Sequence, residues 1–217
     1  VSGPGTVLVM AKAPVAGRVK TRLAASIGAD AAARIAAASL QDTVEACTDA
    51  VGPANCCLAL AGDLDAAHDG AVLRSALAGW SVVPQQGNGL GERIAAAFAR
   101  GAGPTVQIGM DTPQVSAALL RSAAARLVDH EAVLGPAEDG GWWLLGLTEP
   151  AAAGVLTRVP MSTPETGRLT RRALVDAGLQ VAAAPVLRDV DELEDLVAVA
   201  AALPGSRTAR AAEAVLR

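Results

Sequence analysis

The chain has 217 residues, 52% of them apolar, with 22 acidic and 18 basic side chains for a net charge of -4. That length suits a single α/β domain over residues 1–217, and the acidic balance argues against a general nucleic-acid or anionic-membrane surface. No run approaches the ~18 consecutive apolar residues that span a bilayer, and no basic segment precedes a long apolar one at the N-terminus, so a soluble cytoplasmic protein is expected.

With one Phe and no Tyr, the core must be built from Val, Leu, Ile and Ala. The three cysteines, Cys47, Cys56 and Cys57, lack the spacing of a zinc site or a disulfide framework and read as small buried residues.

Residues 7–23 read VLVMAKAPVAGRVKTRL. Residues 7–10 form an apolar run with no polar face, as a central parallel strand does, and the run drops into a loop punctuated by Pro14 and Gly17. Four cations follow: Lys12, Arg18, Lys20 and Arg22. In open α/β sheets ligands bind beyond the carboxyl ends of the strands. Lys offers phosphate a point charge and Arg a planar fork, so these four are either an anion site or ordinary solvated charges.

An Ala-rich helix follows Gly28 and Asp30, with Leu40, Val44, Cys47 and Val51 on one face. Gly52 and Pro53 end it, and residues 56–60 read as a second strand. His68 lies in a polar stretch and reads as an exposed, bland histidine. Residues 80–83 make a third strand. The segment QQGNGLGER, residues 85–93, then precedes a helix with Leu90, Ile94 and Phe98 on one side. Its glycines would let backbone N–H groups approach a ligand, or would make an ordinary loop.

Residues 106–109 form a fourth strand ending in Met110, Asp111, Thr112 and Pro113. Asp111 at that carboxyl end either offers hard oxygens to Mg²⁺ or caps the following helix, which Pro113 would help to start. Residues 132–135 and 142–147 read as two strands joined by an acidic turn holding Glu138, Asp139, Gly140 and Gly141, which could shape an acceptor pocket. Trp142 and Trp143 must face opposite sides of their strand, so at most one lines a site there.

Ser162, Thr163, Pro164 and Glu165 read as a helix start, with a capping hydroxyl and an early proline. Residues 179–187 read as a last strand, after which Asp189 and Asp191 lead into a helix through Glu192. Asp191 would cap that helix or reach a metal. If Asp111 and Asp191 share a site, two like charges ~4 Å apart repel by about 4 kcal/mol at an effective dielectric near 20, which favours a cation between them. Residues 206–217 form an amphipathic helix whose apolar face would cover the domain or pack a second subunit as a homodimer. Alternating strands and helices imply a mostly parallel sheet covered on both faces.

Together AKAPVAGRVKTRL, QGNGLGER, GMDTPQ, GPAEDGGWWLLGL and DVDELEDL resemble the nucleotide-diphospho-sugar transferase superfamily. The chain is closest to a small bacterial glycosyltransferase-like branch and is similar to the 2-phospholactate guanylyltransferases. The resemblance implies an α/β, Rossmann-like three-layer sandwich with a mostly parallel mixed sheet, the type A glycosyltransferase fold. It implies phosphate contacts from Lys12, Arg18, Lys20 and Arg22, and base or ribose contacts from Gln86, Gly87, Gly89, Gly91 and Arg93. It also implies Mg²⁺ on Asp111 and Asp191, with Asp189 or Asp139 as other candidate ligands, and an acceptor pocket at Asp139, Gly140 and Gly141. Lys20, Arg22 and Asp111 would carry the chemistry. Two departures are plain: the first loop has one glycine where pyrophosphorylases have several, and Gly109 leaves Asp111 without a DxD partner.

The expected activity is Mg²⁺-dependent transfer of a nucleoside monophosphate from a triphosphate to a small phosphorylated acceptor. The alternatives are an NDP-sugar-dependent glycosyltransferase and a non-catalytic nucleotide-binding protein.

Overall fold

The computed structural model describes residues 5–216. Seven strands form one sheet: β1 (Thr6–Lys12), β2 (Cys56–Ala61), β3 (Ser81–Pro84), β4 (Thr105–Gly109), β5 (Ala132–Pro136), β6 (Trp142–Leu147) and β7 (Val181–Ala183), in the spatial order β3-β2-β1-β4-β6-β5-β7. All pairings are parallel except those of β6, which runs against both β4 and β5. The sheet is therefore mixed and mostly parallel.

Residues 7–11 of β1 are all apolar and buried because the strand is flanked by β2 and β4 and covered on both faces. Val7, Val9 and Ala11 pack with Val106 and Ile108 beneath α2 (Ala29–Val51), α3 (Gly70–Ala76) and α5 (Ala117–Ala125). Leu8 and Met10 face the other way, toward α4 (Leu90–Phe98), a 3-10 segment at Pro150–Arg158 and α6 (Thr166–Asp176). The result is three layers. From β1 the chain steps outward to β2 and β3, then returns to the other side of β1 as β4. The reversal opens a crevice beyond the carboxyl ends of β1 and β4.

Several local expectations are corrected. A short helix, α1 (Thr21–Ile27), precedes α2, so Arg22 stands in a first helical turn rather than a loop. The last strand is three residues long instead of spanning 179–187, since Pro185 lacks the N–H that a ladder needs; only an isolated bridge pairs Leu187 with Ala137. The helix after Asp111 begins at Ala117 and is capped by Ser116, whose hydroxyl accepts from Leu119 N at 3.2 Å, so neither Asp111 nor Pro113 starts it. Asp191 does not cap α7 (Leu193–Ala202) either: Glu192 and Asp195 form a reciprocal capping box there. Residues 162–165 form a turn ahead of α6, in which the Thr166 hydroxyl accepts from Thr163 N at 3.0 Å.

The final helix, α8 (Arg207–Leu216), lies on α2 and α7 and buries Ala209 and Ala212, so its apolar face is used within the chain; Arg217 lies outside the described residues. Asp42 of α2 anchors its start by accepting from the Thr208 N–H and hydroxyl at 2.9 and 2.8 Å. Among the described residues no helix is long and apolar enough to cross a membrane.

Candidate functional site

The crevice is a cleft of about 550 Å³ that runs from the basic loop to the tip of the β5–β6 hairpin. Lys12, Arg18, Lys20, Arg22, Arg93, Asp111, Asp139, Gly141, Asp189 and Asp191 line it. Gln86, Gly87, Gly89, Gly91 and Gly140 do not.

The residues outside the lining have structural work near it. Gly87 accepts from Arg93 Nε at 3.1 Å, which holds that guanidinium at the rim. Gly91 lets α4 approach the 3-10 segment, because a Cβ there would lie 2.2 Å from the Leu156 carbonyl oxygen. Gly140, at φ +87°, gives its carbonyl to Gly167 N at 2.8 Å and so pins the hairpin tip to α6. Gln85, one residue from the expected position, lines the cleft and donates to Ala11 O and Ala59 O at 2.9 and 3.0 Å.

Residues 188–191 reach the end of β4 because three hydrogen bonds hold them there. Val190 N donates to Asp111 O at 2.9 Å, the Thr112 hydroxyl to Asp189 Oδ1 at 2.6 Å, and Gln114 Nε2 to Arg188 O at 2.7 Å. Asp111 and Asp191 thereby converge, and Lys20 lies between them. Its Nζ pairs with Asp111, lies 3.7 Å from Asp191 Oδ1 and donates to the Val190 carbonyl, with only 3% of its side chain exposed. Arg22 pairs with the other oxygen of Asp191. The cation that two facing carboxylates demand is here an ammonium.

The oxygens that meet Lys20 also suit a hard divalent cation, which commonly takes one or two carboxylates and completes its shell with water and phosphate oxygens. Among the described residues no group of three or more His, Cys, Asp or Glu side chains has the spacing of a metal cluster, so an ion held there would complete its shell from water or phosphate oxygens. Asp189, beside this pair, is pushed up to about 6, chiefly by burial and further by Asp111, against the Thr112 hydrogen bond. Asp139 turns one oxygen back to Gly141 N at 2.8 Å, shaping the hairpin tip.

Trp142 and Trp143 lie on opposite faces, yet both residues line the cleft, which straddles the end of the sheet; Trp143 is also core, donating to Pro185 O at 2.9 Å. Gln107 passed unnoticed in the sequence. It is 2% exposed, it lines the cleft, and its Oε1 is buried with no hydrogen-bond partner. One polar residue inside the apolar strand TVQIG was the available signal.

Residues 43–163 match a family described as uncharacterized proteins conserved in bacteria, DUF2064. The chain belongs to the DUF2064 family. Among solved structures, this DUF2064 protein is similar to a provisionally assigned nucleotide-diphospho-sugar transferase from Desulfovibrio desulfuricans G20, with 26% identity, a TM-score of 0.84, and coverage of 97% of this chain and 94% of that one. It is also similar in fold to a CMP:2-keto-3-deoxy-manno-octonic acid synthetase complexed with CTP, at 13% identity, a TM-score of 0.59, and coverage of 97% and 100%. Rv0371c from Mycobacterium tuberculosis H37Rv, in complex with manganese, matches at 21% identity with a TM-score of 0.50, covering 90% and 98%. No curated protein sequence matches it. The D. desulfuricans neighbour is provisionally assigned as a transferase, and the DUF2064 chain shares the fold of the nucleotide-diphospho-sugar transferase superfamily, as its motifs led one to expect.

Proposed function

We propose that the protein is a divalent-cation-dependent nucleotidyltransferase that moves a nucleoside monophosphate from a nucleoside triphosphate to a small phosphorylated acceptor. The observation that carries this reading is the meeting, in one crevice at the sheet's switch point, of exposed Lys12 and Arg18 with the Asp111 and Asp191 carboxylates. Among the described residues neither Lys12 nor Arg18 makes an ion pair, which leaves both charges for phosphate. The CTP and manganese complexes of two structural neighbours support the same ligand chemistry.

In the reaction an acceptor phosphate oxygen attacks the α-phosphorus. A new P–O bond forms there, the bond to the oxygen bridging toward the β-phosphorus breaks, and that oxygen leaves with its electron pair in pyrophosphate. The acceptor is already an anion, so no protein nucleophile is needed. The chain supplies position and charge: Arg18 offers a fork and Lys12 a point charge to the triphosphate, while the wall at Asp139, Gly141 and Trp142 faces the acceptor. Asp111 and Asp191 would hold Mg²⁺ or Mn²⁺, which when bound neutralises charge on the phosphates during the displacement.

Incubation with each triphosphate, Mg²⁺ and a panel of phosphorylated acceptors should release pyrophosphate. A second reading, transfer of sugar from an NDP-sugar, is favoured by the cleft's extension past the basic loop to the hairpin tip and by the D. desulfuricans neighbour. It would release a nucleoside diphosphate instead. Binding with neither release would mark a non-catalytic nucleotide-binding protein.

A further inference from the structure

Of the four cations near the end of β1, Lys12, Arg18 and Arg22 are exposed residues, whereas the Lys20 side chain is buried. Lys20 is the residue before α1 and holds a left-handed backbone conformation, φ 48° and ψ 45°. A side chain with a Cβ seldom adopts that conformation without surrounding structure to enforce it. What surrounds it is the oxygen set of the candidate cation position: Asp111, Asp191 and the Val190 carbonyl.

An ammonium has three donors and no acceptor, and here three oxygens surround it. Asp111 and the Val190 carbonyl take two of its donors, and Asp191 Oδ1 stands at 3.7 Å, beyond hydrogen-bond distance, so most of its donor capacity is engaged before any phosphate arrives. The local charge is also partly balanced: Lys20 and Arg22 face Asp111 and Asp191, with Glu192 Oε1 3.7 Å from Arg22 and Asp189 beside them. A divalent ion entering the same oxygens would meet a like charge at close range, which is unfavourable even in a partly screened site. The ammonium and the divalent ion therefore compete for one place, and the nearest new partner for a displaced ammonium is the anion that arrives with the metal.

We propose that Lys20 is a positioning residue that occupies the divalent-cation place in the free enzyme, keeps Asp111 and Asp191 together, and is exchanged for the metal as it moves onto the triphosphate. This rests on the reading of the cleft as a metal and triphosphate site. The exchange makes metal alone a poor ligand and metal with triphosphate a good one, so free divalent ions do not block the site. Reciprocity requires the triphosphate to tighten metal binding by the same factor as the metal tightens triphosphate binding.

The test is Mn²⁺ binding, followed by electron paramagnetic resonance without nucleotide, in the wild type, Lys20→Met and Lys20→Arg. Removing the competitor should tighten Mn²⁺ binding at least tenfold in Lys20→Met, while Lys20→Arg, which keeps a cation, should stay near wild type. In the same Lys20→Met protein, affinity for a non-hydrolysable triphosphate with Mg²⁺ should fall. A purely structural lysine would weaken Mn²⁺ binding when removed. Unchanged or weaker Mn²⁺ binding in Lys20→Met, or no Mn²⁺ binding by any of the three proteins, would overturn the proposal.

If Lys20→Met does not fold, the wild type decides. Saturating Mg²⁺ alone should speed acetylation of Lys20, read by mass spectrometry, because the displaced ammonium leaves its buried position; an unchanged rate overturns the exchange. Pyrophosphate release is scored separately. Its absence alongside a tenfold gain in Mn²⁺ affinity would count against nucleotidyl transfer and leave the exchange standing.

Discussion

Gln107→Met separates what the cleft needs from what the fold needs. Gln107 sits on β4 between Leu8 of β1 and Leu145 of β6, on the sheet face that α4 covers. It is 2% exposed and its Oε1 has no partner. A buried polar group left unbonded costs about 1–3 kcal/mol. Met has nearly the same length and no such requirement, and it can adapt to the apolar neighbours. The free protein should therefore gain about 1 kcal/mol or more, which for a chain of this size raises Tm by roughly 2–4 °C per kcal/mol. Urea unfolding at fixed pH measures the gain directly. The same substitution should reduce the stabilisation produced by a bound triphosphate or NDP-sugar, since it removes from the cleft lining an unpaired amide oxygen that a ligand donor could reach. A variant less stable than wild type, with ligand stabilisation unchanged, would refute the reasoning: a trapped water would then satisfy the amide and the residue would be structural.

Asp111→Asn should abolish metal-dependent turnover while circular dichroism stays native; full activity would remove Asp111 from the site. Asp189 should make stability fall as pH rises. Its carboxyl is held up to about 6 against 3.8 in an unperturbed aspartate, so the folded protein retains a proton that the unfolded chain gives up, and the loss accumulates between those values. With a metal chelator present, Asp189→Asn should match wild type below pH 4 and exceed it above pH 6 by at most about 3 kcal/mol; parallel pH profiles of the two proteins would contradict the burial of that charge. Gly140→Ala should cost more than about 2 kcal/mol, combining a left-handed backbone with a clash, because its new Cβ would lie 2.0 Å from the Pro164 carbonyl oxygen at φ +87°. A thermal melt within 1–2 °C of wild type, the scale of a few tenths of a kcal/mol, would show that the hairpin tip adjusts freely.

Much of the architecture was legible because the signals that specify it are local. The apolar run of β1 has no polar face, and that requires a strand buried on both sides at the middle of a sheet. Periodicity marked α2, and Asp111 followed directly from its place after an apolar strand. The resemblance of five short segments, taken in their order along the chain, led to the superfamily. Local reading failed where two local signals competed. α1 lay hidden inside a basic stretch, and Pro185 cut β7 short inside a run that looked continuous.

The sequence by itself determined which strands are central and which loops gather beyond their carboxyl ends, since burial pattern and chain order dictate these; it left Asp111 and Asp191 either to cap helices or to share a site with the cations. Only the tertiary structure decided which cation turns inward. Lys20 and Asp191 are 171 residues apart, Arg22 pairs with Asp191 across 169, and Thr112 meets Asp189 across 77. Such pairings depend on side-chain direction and on the docking of residues 188–191 against β4, which no spacing along the chain encodes. Gln107 shows the same division: its place in an apolar strand is written in the sequence, but its lack of a partner exists only once Leu8 and Leu145 close around it.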